Sequence, residues 1–147
     1  MLDKYKSRGL KLVTAESCTG GLISALLTEI SGSSDVFECG FVIYSNESKI
    51  KLLGVDEKLI EQHGAVSEQV ASAMAQEAIA KTSADVAVAV TGVAGPTGGT
   101  IEKPVGLVYI AVAIKTEITC EKNIFSGSRD DVRLQSVSKA LEMLSDI

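Results

Sequence analysis

Apolar and polar residues alternate along the chain in blocks whose lengths and periods predict a succession of helices and strands. In the first half, an opening helix is predicted at residues 2 to 8, and two strands are predicted at LKLVTA and VFECGFVIYS. Three further helices are predicted at residues 20 to 30, at ESKIKLLGV and at EKLIEQH. Gly32, Gly54 and Gly64 follow the last three helices, as is typical of helix C-termini. Gly40, inside the second strand, predicts a bulge or a close backbone approach.

The second half of the chain continues the alternation of helix and strand. Ser67 is the expected N-cap of a helix over EQVASAMAQEAIAKT, and ADVAVAV is an apolar run typical of a central strand covered on both faces. PVGLVYIAVAI and ITCEKNIF predict an antiparallel hairpin, after which a capping box of Ser128 and Asp131 opens the last helix. We therefore predict an α/β fold, a three-layer α/β/α sandwich with a mixed central sheet, formed by residues 1–147 as a single domain.

The amino-acid composition indicates which kinds of molecule the protein binds. The 14 basic and 19 acidic residues give a net charge of −5, which favours a soluble protein with a small-molecule or protein partner over one that binds nucleic acid or a membrane. No apolar segment has the pattern of a signal peptide or the length of a membrane span, so the cytoplasm is the expected compartment. Three widely spaced cysteines and a single histidine indicate neither a disulfide framework nor a metal site, and we expect no cofactor.

Three stretches rich in polar residues and glycine follow predicted strands: TAESCTGG at 14 to 21, YSNESK at 44 to 49, and TGVAGPTGG at 91 to 99. Ligands of open α/β sheets bind beyond the carboxyl ends of strands, so all three can share one crevice. Each stretch taken alone could equally be an ordinary polar connection. TGVAGPTGG matches neither GxxxxGK[ST] nor GxGxxG, which disfavours a nucleoside triphosphatase.

The first of these stretches raises the question of a nucleophile. Polar side chains before two glycines at a helix start could form a cap, an anion cradle or the seat of a nucleophile. If Lys49 lies beside this turn, burial could lower its pKa and let it accept a proton from a serine without a histidine. A solvated surface position is the alternative for this lysine. The SxxK formed by residues 48 to 51 lacks SDN and KTG partners, and we interpret it as chance.

A family resemblance rests on a series of motifs, namely TAESCTGG, GFVIYSNESKIKLLGV, HGAVSEQVASAMA, AVAVTGVAGPTGG, KPVGLVYIA and FSGSRDDVR. With these motifs the chain resembles the C-terminal domain of the competence/damage-inducible protein family, which also occurs as stand-alone nicotinamide-nucleotide amidases. The resemblance implies hydrolysis of the carboxamide of nicotinamide mononucleotide, a pyridine nucleotide, to nicotinic acid mononucleotide and ammonia in pyridine-nucleotide recycling. Together with a mean hydropathy of +0.25, it also predicts a homodimer.

The resemblance also implies roles for individual residues. It makes Ser17 the nucleophile, Lys49 its base and Tyr44 the residue that orients the pair. Thr91 and Gly92 are implied to contact the substrate or the oxyanion. Because an amide is a poor electrophile, such a site needs an activated hydroxyl and preorganised donors for the oxyanion.

Several assignments remain open at this point. The N–H groups of Thr19, Gly20 and Gly21 could bind either the oxyanion or the nucleotide phosphate. Arg129 is a second phosphate candidate, with an exposed position in the first turn of a helix as the alternative. Cys18 rivals Ser17 as nucleophile, since a helix N-terminus can lower the pKa of a thiol. The competing class of function is a non-catalytic nucleotide-binding or protein-interaction module.

Overall fold

The structure is a computed structural model that describes all residues from 1 to 147. Its helices are α1 Leu2–Ser7, α2 Leu22–Thr28, α3 Asn46–Ser48, α4 Glu57–His63, α5 Glu68–Ala80 and α6 Arg129–Ser145. Its strands are β1 Leu12–Glu16, β2 Phe37–Val42, β3 Val86–Gly92, β4 Leu107–Ile114 and β5 Glu117–Ile124. A 3₁₀ turn at Ser33–Asp35 precedes β2, and a π-helical turn at Lys49–Leu53 continues α3. None of the helices combines the length and the apolarity that a membrane crossing requires.

The five strands form one mixed sheet in the order β2-β1-β3-β4-β5. Strand β1 runs parallel to both β2 and β3, whereas β4 is antiparallel to β3 and β5 is antiparallel to β4. The carboxyl ends of β1, β2 and β3 therefore meet at the same edge of the sheet. This edge is where the three polar stretches of the sequence leave the sheet.

Helices cover both faces of the sheet, which confirms the predicted three-layer architecture. The valines of β3 face a layer formed by α1, α2 and α6, and the alanines of the same strand face α4 and α5. Helix α5 presents Ala71, Ala75 and Ala78 to the sheet, all of them fully buried. Small residues on both surfaces let this helix approach the strands closely, in keeping with close-packed protein interiors.

The predicted helix over residues 20 to 30 is shorter in the structure. Strand β1 extends through Glu16, and α2 begins only at Leu22 because Gly20 and Gly21 adopt left-handed backbone angles that a helix cannot contain. The helix ends at Thr28, so Gly32 does not terminate it but instead precedes the 3₁₀ turn. The first three of the eight residues of the TAESCTGG stretch are thus strand, and the turn proper is confined to residues 17 to 21.

Gly40 is required by a close approach of its backbone to neighbouring side chains. A Cβ atom at this position would lie 2.4 Å from the Ser24 Oγ and 2.7 Å from the Thr14 Oγ1. The irregularity in the pairing of β1 with β2 lies earlier, where Leu12 and Val13 face residues two positions apart. The prediction of a close approach is therefore confirmed, and the bulge is not at the glycine.

The two cysteines outside the TAESCTGG stretch lie in strands, as predicted, but they are partly exposed and not in the buried core. Cys39 is on β2 and Cys120 on β5, the two edge strands, and each packs at the margin of the α5 layer. Burial still raises the pKa of both thiols, to about 11 for Cys120.

Candidate active site

Ser17 and Lys49 lie side by side at the carboxyl edge of the sheet. Ser17 follows β1 directly, and its N–H donates to the carbonyl of Val90 on β3 at 3.0 Å. The Lys49 Nζ lies 3.0 Å from the Ser17 Oγ, and the two residues are 7% and 1% exposed. Lys49 is the first residue of the π-helical turn, a type of irregularity found frequently at functional sites. The fold thus brings together residues from two separate motifs.

The surroundings of Lys49 suit an uncharged amine. Its Nζ lies 3.1 Å from each of the carbonyl oxygens of Ile43 and Tyr44, and no carboxylate forms an ion pair with it. A neutral amine, with two hydrogens and one lone pair, can bond to two carbonyls and one hydroxyl, as can the three donors of an ammonium ion, so the missing carboxylate and the burial are what favour the neutral form. Burial lowers the pKa of Lys49 because desolvation disfavours the charged form. The lone pair can then accept the proton of Ser17.

Glu16 occupies the N-terminus of α2 with its own carboxylate. This fully buried side chain accepts hydrogen bonds from the N–H groups of Gly21, Ile23 and Ser24 at 2.9 to 3.1 Å. The Ser24 hydroxyl adds a fourth bond at 2.7 Å. A helix start filled by an internal carboxylate has no room for an external anion. Sequence analysis did not predict this role for Glu16.

The predicted use of the Gly20 and Gly21 N–H groups therefore needs correction. The Gly20 N–H donates to the carbonyl of Ser17 at 3.1 Å, and that of Gly21 donates to Glu16. Neither group is free to bind an oxyanion or a phosphate. The N–H groups of Cys18 and Thr19, by contrast, have no acceptor within the chain. Thr19 is fully buried, and its Oγ1 has no hydrogen-bond partner either.

The Cys18 side chain packs mostly into the apolar core. It is 5% exposed and belongs to the apolar cluster between the sheet and the α1, α2 and α6 layer. Burial raises the pKa of this thiol to about 11, although the positive charges of Lys49, Arg129 and Arg133 lower it in part. The thiol therefore keeps its proton at neutral pH. A thiol in this state is a poor nucleophile.

A crevice of about 170 Å³ opens beside the Ser17–Lys49 pair. Its walls come from all three polar stretches and from the start of α6, and they include Ser17, Cys18, Tyr44, Lys49, Thr91, Gly92 and Arg129. The three stretches share this crevice, as their positions after parallel strands predict. Thr19, Gly20 and Gly21 are not among the residues that line it, and Thr19 is fully buried.

Tyr44 and Arg129 form a pair at the mouth of the crevice. The Arg129 Nη2 donates to the Tyr44 hydroxyl at 2.9 Å, and its Nη1 donates to the carbonyl of Gly95 at 2.8 Å. Tyr44 is 59% exposed, and its phenol is not hydrogen-bonded to Ser17 or Lys49. The expectation that Tyr44 orients the Ser-Lys pair therefore applies to its main-chain carbonyl and not to its phenol. Arg129 is exposed but held over the crevice.

Thr91 and Gly92 form the wall of the crevice at the end of β3. The Thr91 hydroxyl donates to the carbonyl of Ala65 at 2.9 Å, which ties the strand to the loop before α5. A Cβ atom on Gly92 would lie 2.6 Å from the Val108 Cγ2 and 2.8 Å from the Leu107 carbonyl oxygen. Glycine is required there by the close approach of β4. Contact of either residue with a substrate stays a prediction.

Comparison with known proteins places this arrangement in a family. The family model described as the CinA C-terminal domain matches residues 1–147. The nicotinamide-nucleotide amidohydrolase PncC of Escherichia coli strain K12 is 50% identical over 140 residues, which cover 95% of this chain and 85% of that protein. A putative competence-damage inducible protein of Caldicellulosiruptor bescii is 50% identical over 92% of this chain, and the match spans about a third (33%) of that longer relative.

Solved structures give the same result. The crystal structure of the competence/damage inducible protein CihA from Agrobacterium tumefaciens superposes with a TM-score of 0.96 at 46% identity, covering 99% of this chain and 89% of that one. A CinA superfamily protein from Escherichia coli superposes with a TM-score of 0.93 at 37% identity, covering 97% of this chain and 83% of that one. Since the family model, the relatives and the structures all agree over nearly the full chain, the protein belongs to the CinA C-terminal domain family.

Proposed function

We propose that this chain is an amidohydrolase that converts nicotinamide mononucleotide to nicotinic acid mononucleotide and ammonia, with Ser17 as nucleophile and Lys49 as base. The observation that carries the proposal is the 3.0 Å distance between the Lys49 Nζ and the Ser17 Oγ in a crevice at the carboxyl edge of the sheet. The substrate follows from the likeness to the Escherichia coli nicotinamide-nucleotide amidohydrolase, which is 50% identical over 95% of the chain. A role in pyridine-nucleotide recycling in the cytoplasm follows from this proposal.

The proposed reaction has two half-reactions. The Ser17 Oγ attacks the carboxamide carbon and forms a C–O bond while its proton passes to Lys49, and the carbonyl oxygen becomes an oxyanion. Collapse of this intermediate breaks the C–N bond, and Lys49 returns the proton to the departing nitrogen, which leaves as ammonia. Water then attacks the Ser17 ester with Lys49 again taking and returning a proton. The products are the carboxylic acid and the free serine.

The oxyanion needs preorganised donors, and the main chain directly after Ser17 offers one beside the crevice. Among the N–H groups of residues 17 to 24, those of Cys18 and Thr19 have no acceptor within the chain. In α/β hydrolases the N–H of the residue after the nucleophile serves this purpose. Of these two residues only Cys18 lines the crevice, whereas Thr19 is fully buried, so we assign the Cys18 N–H to the oxyanion, where such a donor contributes about 3 to 4 kcal/mol to catalysis.

The phosphate of the substrate is assigned to Arg129. Its guanidinium has five N–H donors, and two of its nitrogens each donate one bond within the chain, to Gly95 and to Tyr44. The remaining donors are available at the mouth of the crevice, where a planar fork can bind a phosphate bidentately. This leaves the Ser17–Lys49 pair at the inner end for the carboxamide.

The test is release of ammonia from nicotinamide mononucleotide by the purified chain. The Ser17→Ala variant is expected to release none while remaining folded by circular dichroism, and Ser7→Ala, an exposed serine on α1, is the matched control that retains activity. A non-catalytic nucleotide-binding module would bind the nucleotide saturably and release no ammonia. That result with the unmodified chain would refute the proposal in favour of the alternative.

We also infer a homodimer. Large apolar side chains are exposed at Ile101, Leu52 and Val42, with 97%, 62% and 53% of their surface accessible. Contact between two copies of the chain would cover such residues, since exposed apolar patches are typical of interfaces. Sedimentation at micromolar concentration is expected to give a dimer, and a monomer alone would contradict the inference.

A further inference from the structure

We propose that the side-chain ring of Tyr44 binds the positively charged pyridinium ring of the substrate through its π face. The inference rests on the proposed function for the identity of the ligand, and it adds how the site selects the cationic form of the nicotinamide ring. Tyr44 is the only aromatic residue among those that line the crevice. Its phenol makes no hydrogen bond to the Ser17–Lys49 pair, so the proposed reaction steps do not account for the ring.

Tyr44 extends from one end of the crevice to the other. Its carbonyl oxygen lies 3.1 Å from the Lys49 Nζ at the inner end, and its hydroxyl accepts a hydrogen bond of 2.9 Å from the Arg129 Nη2 at the mouth. A nucleotide with its carboxamide at Ser17 and its phosphate at Arg129 spans the same two ends. The pyridinium ring, which carries the carboxamide, therefore lies alongside the tyrosine.

The crevice offers no carboxylate to a cationic ring. None of the residues that line it is acidic, although the chain has 19 acidic residues against 14 basic ones. Nicotinamide mononucleotide has a quaternary ring nitrogen, and such a charge is attracted to the negative π face of an aromatic side chain. Burial lowers the pKa of Lys49, which favours a neutral amine at the inner end, and the phosphate of the substrate offsets the charge of Arg129. The tyrosine ring is therefore the group in the crevice that best suits the cation.

The tyrosine side chain is exposed and yet restrained. Tyr44 is 59% exposed, which leaves part of the ring open to a ligand, and the hydrogen bond from Arg129 restrains its outer end. Arg129 in turn donates to the Gly95 carbonyl at 2.8 Å. A ring restrained in this way loses little conformational freedom when a ligand stacks on it, which favours affinity. Because the side chain is so exposed, its replacement is expected to leave the fold intact.

The experiment measures binding by isothermal titration calorimetry in a Ser17→Ala background, in which the ligand is not consumed. The ligands are nicotinamide mononucleotide and its 1,4-dihydro form, which keeps the carboxamide, ribose and phosphate but has an uncharged ring. Tyr44→Leu retains an apolar side chain without a π system. Tyr44→Phe is the matched variant that retains the ring without the hydroxyl.

The Ser17→Ala chain is expected to bind the cationic form about 10-fold more tightly than the dihydro form, the size of a partly desolvated cation–π contact. Adding Tyr44→Phe should weaken both ligands by one common factor, because the bond to Arg129 is lost, and should keep the preference because the π face remains. Adding Tyr44→Leu should weaken both by that factor and the cationic form by about a further 10-fold, which removes the preference. A merely structural role of Tyr44 would change the two affinities equally in both variants.

Three results would overturn the inference. Equal or reversed affinities in the Ser17→Ala chain do so without any change at Tyr44. A preference that persists in a folded Tyr44→Leu variant assigns the cation to another group, and a preference lost in Tyr44→Phe assigns it to the hydroxyl. If neither ligand binds, the inference and the proposed substrate fail together. Binding with the expected preference but no ammonia release from the unmodified chain would instead refute the proposed reaction and support the role of the ring.

Discussion

The side chains of Glu16 and Ser24 are joined by a hydrogen bond of 2.7 Å, and the same carboxylate oxygen accepts the Ser24 main-chain N–H at 2.9 Å. The Ser24 hydroxyl in turn lies 2.7 Å from the Thr14 Oγ1 on β1. These bonds connect the last residues of β1 to the first turn of α2. Ser17, the residue after Glu16, is therefore held between a strand and a helix that share one buried network.

Glu16→Gln is expected to destabilise the fold. The amide has a single acceptor oxygen in place of the charged carboxylate that receives four hydrogen bonds, and loss of such charge-assisted bonds costs about 2 kcal/mol. Denaturant unfolding followed by circular dichroism measures the change. Glu57→Gln, an exposed acid in the first turn of α4, is the control and should cost less than about 0.5 kcal/mol. Equal stabilities for the two variants would contradict the role of Glu16.

The choice between neighbouring nucleophiles can be tested by two substitutions. Ser17→Ala is expected to abolish ammonia release, whereas Cys18→Ala should retain most of the activity and lose about 1 kcal/mol of stability from the buried thiol. The reason is that the Cys18 thiol is protonated and packed in the core. Kinetics and thermal unfolding of both variants provide the measurements. Selective loss of activity in a folded Cys18→Ala variant would make this a cysteine amidase.

Much of the fold could be predicted from the local pattern of apolar and polar residues in the sequence. The apolar run of β3 predicted a central strand, and the alternation of strands with helices predicted a mixed sheet with helices on both faces, which the structure confirms. Helix boundaries were less accurate, because Gly20 and Gly21 read as part of a helix start although their left-handed angles lie before it. Backbone conformation at a glycine depends on its neighbours in space as well as on its sequence.

The site was only partly predictable. The shared crevice followed from three motifs after parallel strands, but the contact between Ser17 and Lys49 depends on the register of β1 with β2 and on the π-helical turn, which no local pattern indicates. Glu16 gave no capping signal, since usual N-caps are short polar residues directly before the helix. The attachment of Arg133 on α6 to the turn after Ser17 links residues more than 100 positions apart, with sequence separations of 115 and 114.

Arg129 is predicted to act on the phosphate and not on the amide. Arg129→Met should raise KM for nicotinamide mononucleotide about 10- to 100-fold with kcat retained, because charge-assisted hydrogen bonds to the phosphate are lost. Nicotinamide riboside, which lacks the phosphate, should show no change. Tyr44→Phe removes the acceptor that holds the guanidinium and should raise KM by a smaller factor. Equal effects on both substrates, measured by steady-state kinetics, would refute this assignment.

The base role of Lys49 makes a prediction about pH. A base must be deprotonated, so the rate should rise with pH through the pKa of Lys49, and burial places that rise below the ordinary range of a lysine. The same shift affects stability: the unfolded chain binds the proton more strongly, so lowering the pH through the folded pKa reduces the free energy of unfolding. Both profiles can be measured on the unmodified chain.

Substitutions separate the base role of Lys49 from the need for a positive charge. Lys49→Arg and Lys49→Ala should each lose activity about 100-fold or more, because a guanidinium keeps its proton and cannot act as a base. Lys51→Met is the control, since this exposed lysine pairs with Glu47 and should leave both rate and pH profile unchanged. Substantial activity in Lys49→Arg would mean that a fixed charge beside Ser17 is sufficient. In that case the proton of Ser17 would have to leave by another route, and the neutral-amine geometry would lose its mechanistic meaning.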